Sequence, residues 1–516
     1  MNYELCITKL FIIHNTRYVI HFSSIDSIPL LAYSSPMLKA DHPFSLVIFG
    51  ASGHLAKIKL FPALYFLALK KRLPADYAIV GFARTPMEDM AFRVLAADAI
   101  RRHVLEVNEA VIADLVSHMH YFSGQYDSLQ DFNALGEKLN TLETWGSDTV
   151  RMAYLSIPPT AFSAVLHNLC GSSVHSAERP FRCIVEKPVG TSTQTYAQIR
   201  EQMYTCFKPE EVFILDHYLG KEAVRNVYYL RYANPVIERL FKNTLLSHVE
   251  ITASEDQGLE GRAGYFDTVG TFRDMFQSHL LQIASLLTMR LVGDDSQMKA
   301  ARLEALRSFY LPPTTDLGQV VMQAQYTAGT VHGLPAAAYT SEEGVAGDSR
   351  TPTFAAMKLL TRSPRFEGVP FYLRSGKRLA AKETRITIEF QESITIGKGM
   401  SKNRLDIILQ GEAGMRFHLQ TKMGGSEPKF RPLLMEDPLM CVGDCLVEHS
   451  LLILEAINGN QQWFLHPDEV QASWQLVDPL QKYLDDPKTP LALYPAGSKG
   501  PKEADDFIGA SGFTWF

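Results

Sequence analysis

The sequence predicts an α/β domain with a Rossmann-like, doubly wound parallel sheet, followed by a larger α+β domain with a mostly antiparallel sheet. Three observations predict it. Short apolar runs alternate with helical patterns from Phe44 to about residue 215. The first of those runs ends in a Gly-rich turn that opens a helix. Beyond residue 240, strand-like segments succeed one another with no helix between each pair.

The first half supplies one clear βαβ unit. Leu46–Phe49 is an apolar strand, Gly50-Ala51-Ser52-Gly53 interrupts it, and Leu55 to Lys71 carries Leu60, Leu64 and Leu67 at helical spacing. Ala78–Phe82 is the second strand, and the runs Met152–Ile157, Cys183–Val185 and Val212–Leu215 extend the series. In the second half the expected strands are His248–Ala253, Val320–Tyr326, Arg385–Phe390 and Arg404–Leu409, with one long amphipathic helix over Thr271–Met289. The change of character places a boundary near residue 210. The division is then a 1–42 extension without an assignable role, a 43–210 domain and a 211–516 domain.

Composition excludes several classes. With 516 residues, 46% hydrophobic and 21% charged, the chain suits a soluble globular protein of several domains. Lys plus Arg is 50 against 56 Asp plus Glu, a formal charge of −6, so there is no basic footprint for nucleic acid. No run reaches the roughly 18 apolar residues of a membrane span, so no membrane partner is expected. The cysteines are Cys6, Cys170, Cys183, Cys206, Cys441 and Cys445, with no Cys-x-x-Cys pair. That argues against a disulfide scaffold or a zinc site and for buried or free thiols in the reducing cytoplasm.

Three segments carry candidate chemistry. The turn Gly50-Ala51-Ser52-Gly53-His54-Leu55 brings backbone N–H groups and a helix N-terminus to one place, which suits a pyrophosphate; a plain tight turn is the alternative. The second strand ends in Arg84-Thr85, where an NAD site carries an acid for the ribose hydroxyl. Arg84 therefore favours the 2′-phosphate of NADP, against the alternative of a solvated surface residue. Asp216-His217-Tyr218-Leu219-Gly220-Lys221 follows the last strand of the series. His217, Tyr218 and Lys221 make an anion site or a solvated face, and Asp216 a functional acid or a helix N-cap. His279 lies on the apolar stripe Phe272, Phe276, Ile283, Leu286. It is either a satisfied core histidine or, given a carboxylate partner distant in sequence, an oriented general base.

Taken together, these motifs resemble the glucose-6-phosphate dehydrogenase family. The resemblance runs from about Phe44 to the C-terminus. Its motifs are Gly50–Gly53 with Lys59–Leu64, Tyr154–Pro159, Val185–Gly190, Asp216–Glu222, Glu260–Asp267, Arg273-Asp274 through His279–Gln282, Leu373–Lys377 and Gly497–Pro501. It implies that His279 is the general base and Asp216 the carboxylate that orients it. It implies substrate contacts from His217, Tyr218, Lys221, Glu255, Asp274, Lys377 and Lys382. Lys187 would touch substrate and coenzyme, with Pro188 a hinge, and Arg84 would hold the 2′-phosphate. The implied reaction oxidises glucose 6-phosphate to 6-phosphoglucono-1,5-lactone with hydride passing to NADP, the first step of the oxidative pentose phosphate pathway. No metal is required, and a homodimer or dimer of dimers is implied. The sequence departs from the family at His54, where Asp is usual, and at Glu383, where a Lys would serve a second structural NADP site; no second site is expected.

Two other readings are open on sequence alone. A glucose–fructose-oxidoreductase-like sugar dehydrogenase has a similar domain pair but does not require the Asp-His-Tyr-Leu-Gly-Lys motif. A redox-sensing regulator that binds NADP without turnover has no need of His279.

Overall fold

The alternating runs of the first half form six strands: β1 (Phe44–Phe49), β2 (Tyr77–Ala83), β3 (Met119–Ser123), β4 (Val150–Leu155), β5 (Phe181–Glu186) and β6 (Val212–Leu215). The computed structural model describes residues 38–176, 178–392, 401–427, 429–439 and 445–516. All neighbours in the order β3-β2-β1-β4-β5-β6 are parallel. Every residue of β1, β2 and β4 is buried, which is why these strands read as unbroken apolar runs: helices cover both faces of the sheet. β3, with the sequence Met-His-Tyr-Phe-Ser, lies at the sheet edge and alternates buried with half-buried residues, so its run is less apolar. The strand order reverses between β1 and β4, and this opens a crevice at the carboxyl ends of the strands.

The second half gives β7 (Leu246–Ser254), β8 (Phe309–Tyr310), β9 (Val321–Thr327), the hairpin β10 (Gly329–Val331) and β11 (Leu334–Ala336), β12 (Phe354–Thr361), β13 (Phe371–Gly376), β14 (Glu383–Phe390), β15 (Arg404–Gln410), β16 (Gly414–Lys422), β17 (Phe430–Pro438) and β18 (Ala492–Pro495). Ten of these form one sheet in the order β17-β16-β15-β14-β7-β13-β12-β9-β18, with β8 beside β12. Only β13–β7 and β18–β9 pair in parallel. The mostly antiparallel sheet expected from the sequence is therefore present.

The helix expected over Thr271–Met289 is interrupted in character. Phe272–Leu280 is π-helical and Leu281–Thr288 is α-helical. A π-segment shifts the side-chain register of a helix and is frequent at functional sites; His279 lies within it.

Two features exceed local sequence pattern. β6 begins at Val212, so the parallel sheet continues past residue 210. The helices Glu448–Ile457 and Pro467–Leu484 return to pack against the helices and loops of the first domain. Ser450 Oγ donates to the Ala63 carbonyl at 2.8 Å, and the Trp474 indole donates to the Val189 carbonyl at 3.2 Å. Arg302, fully buried, locks the second of these helices through both carboxylate oxygens of Glu469, at 2.6 and 2.9 Å. Ala40–Phe516 forms a single unit. The extension expected over residues 1–42 falls almost wholly outside the described residues. Among the described residues no helix is long and apolar enough to cross a membrane.

The free-thiol expectation fails for three of the described cysteines, Cys170, Cys206 and Cys445. Cys170 and Cys206 are joined by a disulfide, because the helices Pro159–Gly171 and Thr193–Cys206 end side by side with these Cα atoms 5.5 Å apart. A separation of 36 residues carries no sequence signature of that proximity. Cys183 is a buried free thiol in β5.

Candidate active site

The crevice is built from the carboxyl ends of the parallel strands. After β1 the chain turns at Gly50 with φ +84°, and a Cβ there would lie 2.1 Å from the Ser156 carbonyl oxygen. Only glycine fits that close approach of two strand ends. The helix starts at His54, so the turn presents uncapped backbone N–H groups and a positive dipole end. Arg84, exposed just past β2, lays its guanidinium over the Tyr126 ring at 5.6 Å and makes no ion pair with another described residue. An exposed cation with no ion-pair partner among the described residues, beside an aromatic face and at the end of the strand paired with β1, fits a dinucleotide carrying a 2′-phosphate. Gly50, Ala51, Ser52, Gly53, His54 and Leu55 thus sit at the end of β1, on one side of the crevice.

On the other side, Asp216 follows β6 directly and is completely buried. Its Oδ1 accepts the Tyr218 backbone N–H at 3.0 Å and the His279 Nδ1–H at 2.6 Å. Asp216 thus caps a 3₁₀ turn, His217–Gly220, and also grips an imidazole 63 positions away. Binding at Nδ1 leaves the lone pair of the His279 imidazole on Nε2. The Lys187 ammonium, reaching in just after β5, lies 3.1 Å from that Nε2 and 3.5 Å from the Asp274 carbonyl oxygen. Tyr218 stacks on His279 with ring centroids 4.2 Å apart, and His217 meets it edge-on at 4.6 Å.

Charge states follow from these contacts. Burial opposes ionisation of Asp216, yet His279 and Lys187 outweigh it and hold the carboxyl far below the usual carboxylate range. Burial lowers the His279 imidazole; Asp216 counteracts this and Lys187 reinforces it, so the ring is neutral and able to accept a proton. Burial also lowers His217 and Lys187. Asp216, His217 and His279 are close enough to share a metal ion, but the Lys187 ammonium faces the only free nitrogen of His279. That arrangement suits proton transfer rather than cation binding.

Comparison with known proteins is consistent across both halves. The NAD binding domain of glucose-6-phosphate dehydrogenase matches residues 47–226, and its C-terminal domain matches residues 228–516. The chain belongs to the glucose-6-phosphate dehydrogenase family. It is 32% identical to the glucose-6-phosphate 1-dehydrogenase of Bacillus subtilis over 481 residues, covering 91% of this chain and 98% of that one. It is 34% identical to the Rhizobium meliloti protein of the same name over 487 residues, covering 92% and 97%. A solved glucose-6-phosphate dehydrogenase in complex with its substrate glucose-6-phosphate superposes with TM-score 0.84 at 28% identity, over 93% of this chain and 99% of that one.

Around the glucose-6-phosphate dehydrogenase motif the structure gathers further groups. Lys221 Nζ lies 3.9 Å from the Tyr218 ring centroid and donates to Gln410 Oε1 at 2.9 Å. Lys377, buried after β13, is paired with Glu255, which follows β7. Asp274 is half-buried on the π-helical segment, and Lys382 is exposed, its charge felt at Lys221. Glu383 pairs with Arg385 at 3.1 Å, a contact a Lys at that position would not make.

Four residues at the site were not singled out from sequence. Gln410 accepts from Lys221 and, at 3.4 Å, from Thr384. Tyr154 donates to Glu186 at 2.5 Å, and His449 Nε2 lies 3.5 Å from the same carboxylate oxygen. Tyr154 and Glu186 lie inside quoted motifs, so position relative to Lys187 was an available signal. His449 and Gln410 lie on distant elements and carry none.

Burial, partly offset by Glu448 and reinforced by the Lys59 and Lys382 charges, brings the Lys221 ammonium down to about 8. The ammonium is charged below that pH and neutral above it. Sulfate, a dianion throughout this range, should bind about tenfold more weakly at pH 9 than at pH 7, as the one titrating cation discharges. Calorimetry checks this. Lys221→Arg should flatten the profile; an equal pH dependence in that variant would remove Lys221 from the anion site.

Proposed function

We propose that this chain oxidises β-D-glucose 6-phosphate at C1 to 6-phosphoglucono-1,5-lactone, the opening step of the oxidative pentose phosphate pathway. The observation that carries the reading is the buried Asp216–His279 pair beside Lys187, set between a phosphate-cradling turn and a cluster of cationic side chains. NADP, when bound, supplies the hydride acceptor.

The protein's own groups supply the rest. His279 accepts the C1 hydroxyl proton at Nε2, the nitrogen left free by the Asp216 contact. Asp216 fixes the tautomer and stabilises the imidazolium that forms. Lys187 donates to that same Nε2 in the free enzyme, so the arriving hydroxyl takes its place. His217, Tyr218 and Lys221 hold the sugar phosphate, and Glu255, Asp274, Lys377 and Lys382 surround the sugar and phosphate. Binding energy from the remote phosphate is thereby used to place C1. Gly50, Ala51, Ser52, Gly53, His54, Leu55 and Arg84 bind the coenzyme, with Arg84 on the 2′-phosphate.

On this reading residues 43 to about 215, through β6, form the coenzyme domain, and the chain beyond binds substrate and dimerises. Self-association is supported by the outermost strand of the large sheet, β17, which leaves Phe430, Leu434 and Met435 exposed. A cytoplasmic site suits a charged sugar phosphate and a charged coenzyme, neither of which crosses a bilayer unaided.

Absorbance at 340 nm on mixing NADP with glucose 6-phosphate, and separately with free glucose, tests the reading. Turnover should depend on the phosphate, and equal rates with free glucose would contradict it. His279→Asn should lower kcat by roughly 10²–10⁴ with sugar-phosphate affinity largely kept; an intact rate would exclude it as the base. Arg84→Ala should raise KM for NADP and leave that for NAD almost unchanged. An unaltered ratio would return Arg84 to ordinary surface.

A further inference from the structure

The end of the parallel sheet remote from the crevice holds a second organised group of side chains. Cys170 is exposed at the end of one helix, and Cys206, half-buried at the end of the next, is bonded to it. His175 Nδ1 lies 3.9 Å from Cys206 Sγ, and its Nε2 lies 3.5 Å from Glu211 Oε1. The imidazole is held edge-on between Phe181, at 4.8 Å and 66°, and Phe207, at 5.2 Å and 85°. Cys206, His175 and Glu211 line an open cavity of 560 Å³ whose wall also carries Arg179, Arg182 and Lys208. None of these residues takes part in the oxidation described above. The contrast with Cys183 is informative: that thiol is wholly buried in β5 and accessible to nothing.

We propose that Cys170–Cys206 is a reversible thiol–disulfide site, opened by a dithiol reductant that attacks the exposed Cys170 sulfur and expels Cys206 toward His175. The reductant's thiolate forms a bond to Cys170 Sγ as the Cys170–Cys206 bond breaks, and the electron pair goes to Cys206 Sγ. That sulfur takes up a proton, and the His175 Nδ1, 3.9 Å away and oriented by the Glu211 contact at Nε2, is placed to deliver it. The reductant's second thiolate then displaces Cys170 from the mixed disulfide, and the released Cys170 thiolate takes a proton from water. The dithiol is oxidised to a disulfide by two electrons, and the protein gains two thiols. Exchange of this kind is faster when the attacked sulfur is accessible and the leaving thiolate is stabilised. An exposed sulfur paired with one that faces a clamped imidazole provides both. In a reducing compartment a persistent disulfide is unusual, and a reversible one is the ordinary case.

The closed loop, residues 170–206, carries β5 and Lys187. The bond lies at the amino ends of β5 and β6, whereas Lys187 and Asp216 follow their carboxyl ends. Opening it should therefore act on the stability of the coenzyme domain rather than on the reacting groups. Released chain entropy in the unfolded state predicts a melting temperature lower by roughly 4–10 °C, with kcat within about twofold of the oxidised enzyme.

The test uses the full chain, oxidised with glutathione disulfide, then treated with dithiothreitol without denaturant, alkylated and mapped by peptide mass spectrometry. Cys170 and Cys206 should be unlabelled before reduction, labelled after it, and protected again on reoxidation. Labelling before reduction, or protection that persists until the protein is denatured, would overturn the proposal. His175→Asn should slow reduction roughly tenfold without changing the final thiol count. Cys170→Ser should remove the roughly 4–10 °C part of the melting response to dithiothreitol, whatever reduction at Cys445 contributes; an undiminished response would overturn the assignment to Cys170–Cys206.

Discussion

A fully buried carboxylate and a buried imidazole share one short hydrogen bond, and much of the site's geometry follows from it. Asp216 cannot sit at 0% exposure as an anion without strong compensation. His279, Lys187 and the Tyr218 N–H supply that compensation from three separate segments of chain. Because each of these groups needs the others, the carboxyl ends of β5 and β6 and the π-helical segment Phe272–Leu280 are brought to one point. The same contact fixes which imidazole nitrogen is available for chemistry.

The two sheets serve that point differently. The parallel sheet ends all its strands on one side, so the Gly50 turn, Lys187 and Asp216 share an edge. The large sheet contributes Glu255 after β7, Lys377 after β13 and Gln410 at the end of β15. The helices Glu448–Ile457 and Pro467–Leu484 bind the first domain from the far end of the sequence, which places His449 against Glu186. Lys221 shows the price of this enclosure: burial that keeps it in place also brings its proton affinity near the working pH.

Much of this was legible in the sequence. Apolar runs marked the buried parallel strands because such strands hide both faces, and Val212–Leu215 was read with its final bounds. The edge strand β3 was missed for the converse reason, since its alternate residues are only half-buried. The stripe around His279 identified a buried imidazole but not its partner, and a helix-period reading of Thr271–Met289 did not reveal the π-helical register. His449, Gln410 and the Cys170–Cys206 bond were invisible because each depends on elements brought together only by the tertiary fold. Spacing within a motif reports neighbours on one element; it does not report contacts across 36 or 63 positions.

The most direct test of the central pairing removes its charge and keeps its shape. Single-turnover formation of NADPH by Asp216→Asn, with glucose 6-phosphate carrying hydrogen or deuterium at C1, isolates the chemical step. The rate should fall by roughly 10³–10⁴, with a full primary isotope effect and sugar-phosphate affinity within a few-fold of the parent. A rate within twofold of the parent would contradict it, because the imidazole would then be oriented and stabilised by something other than Asp216.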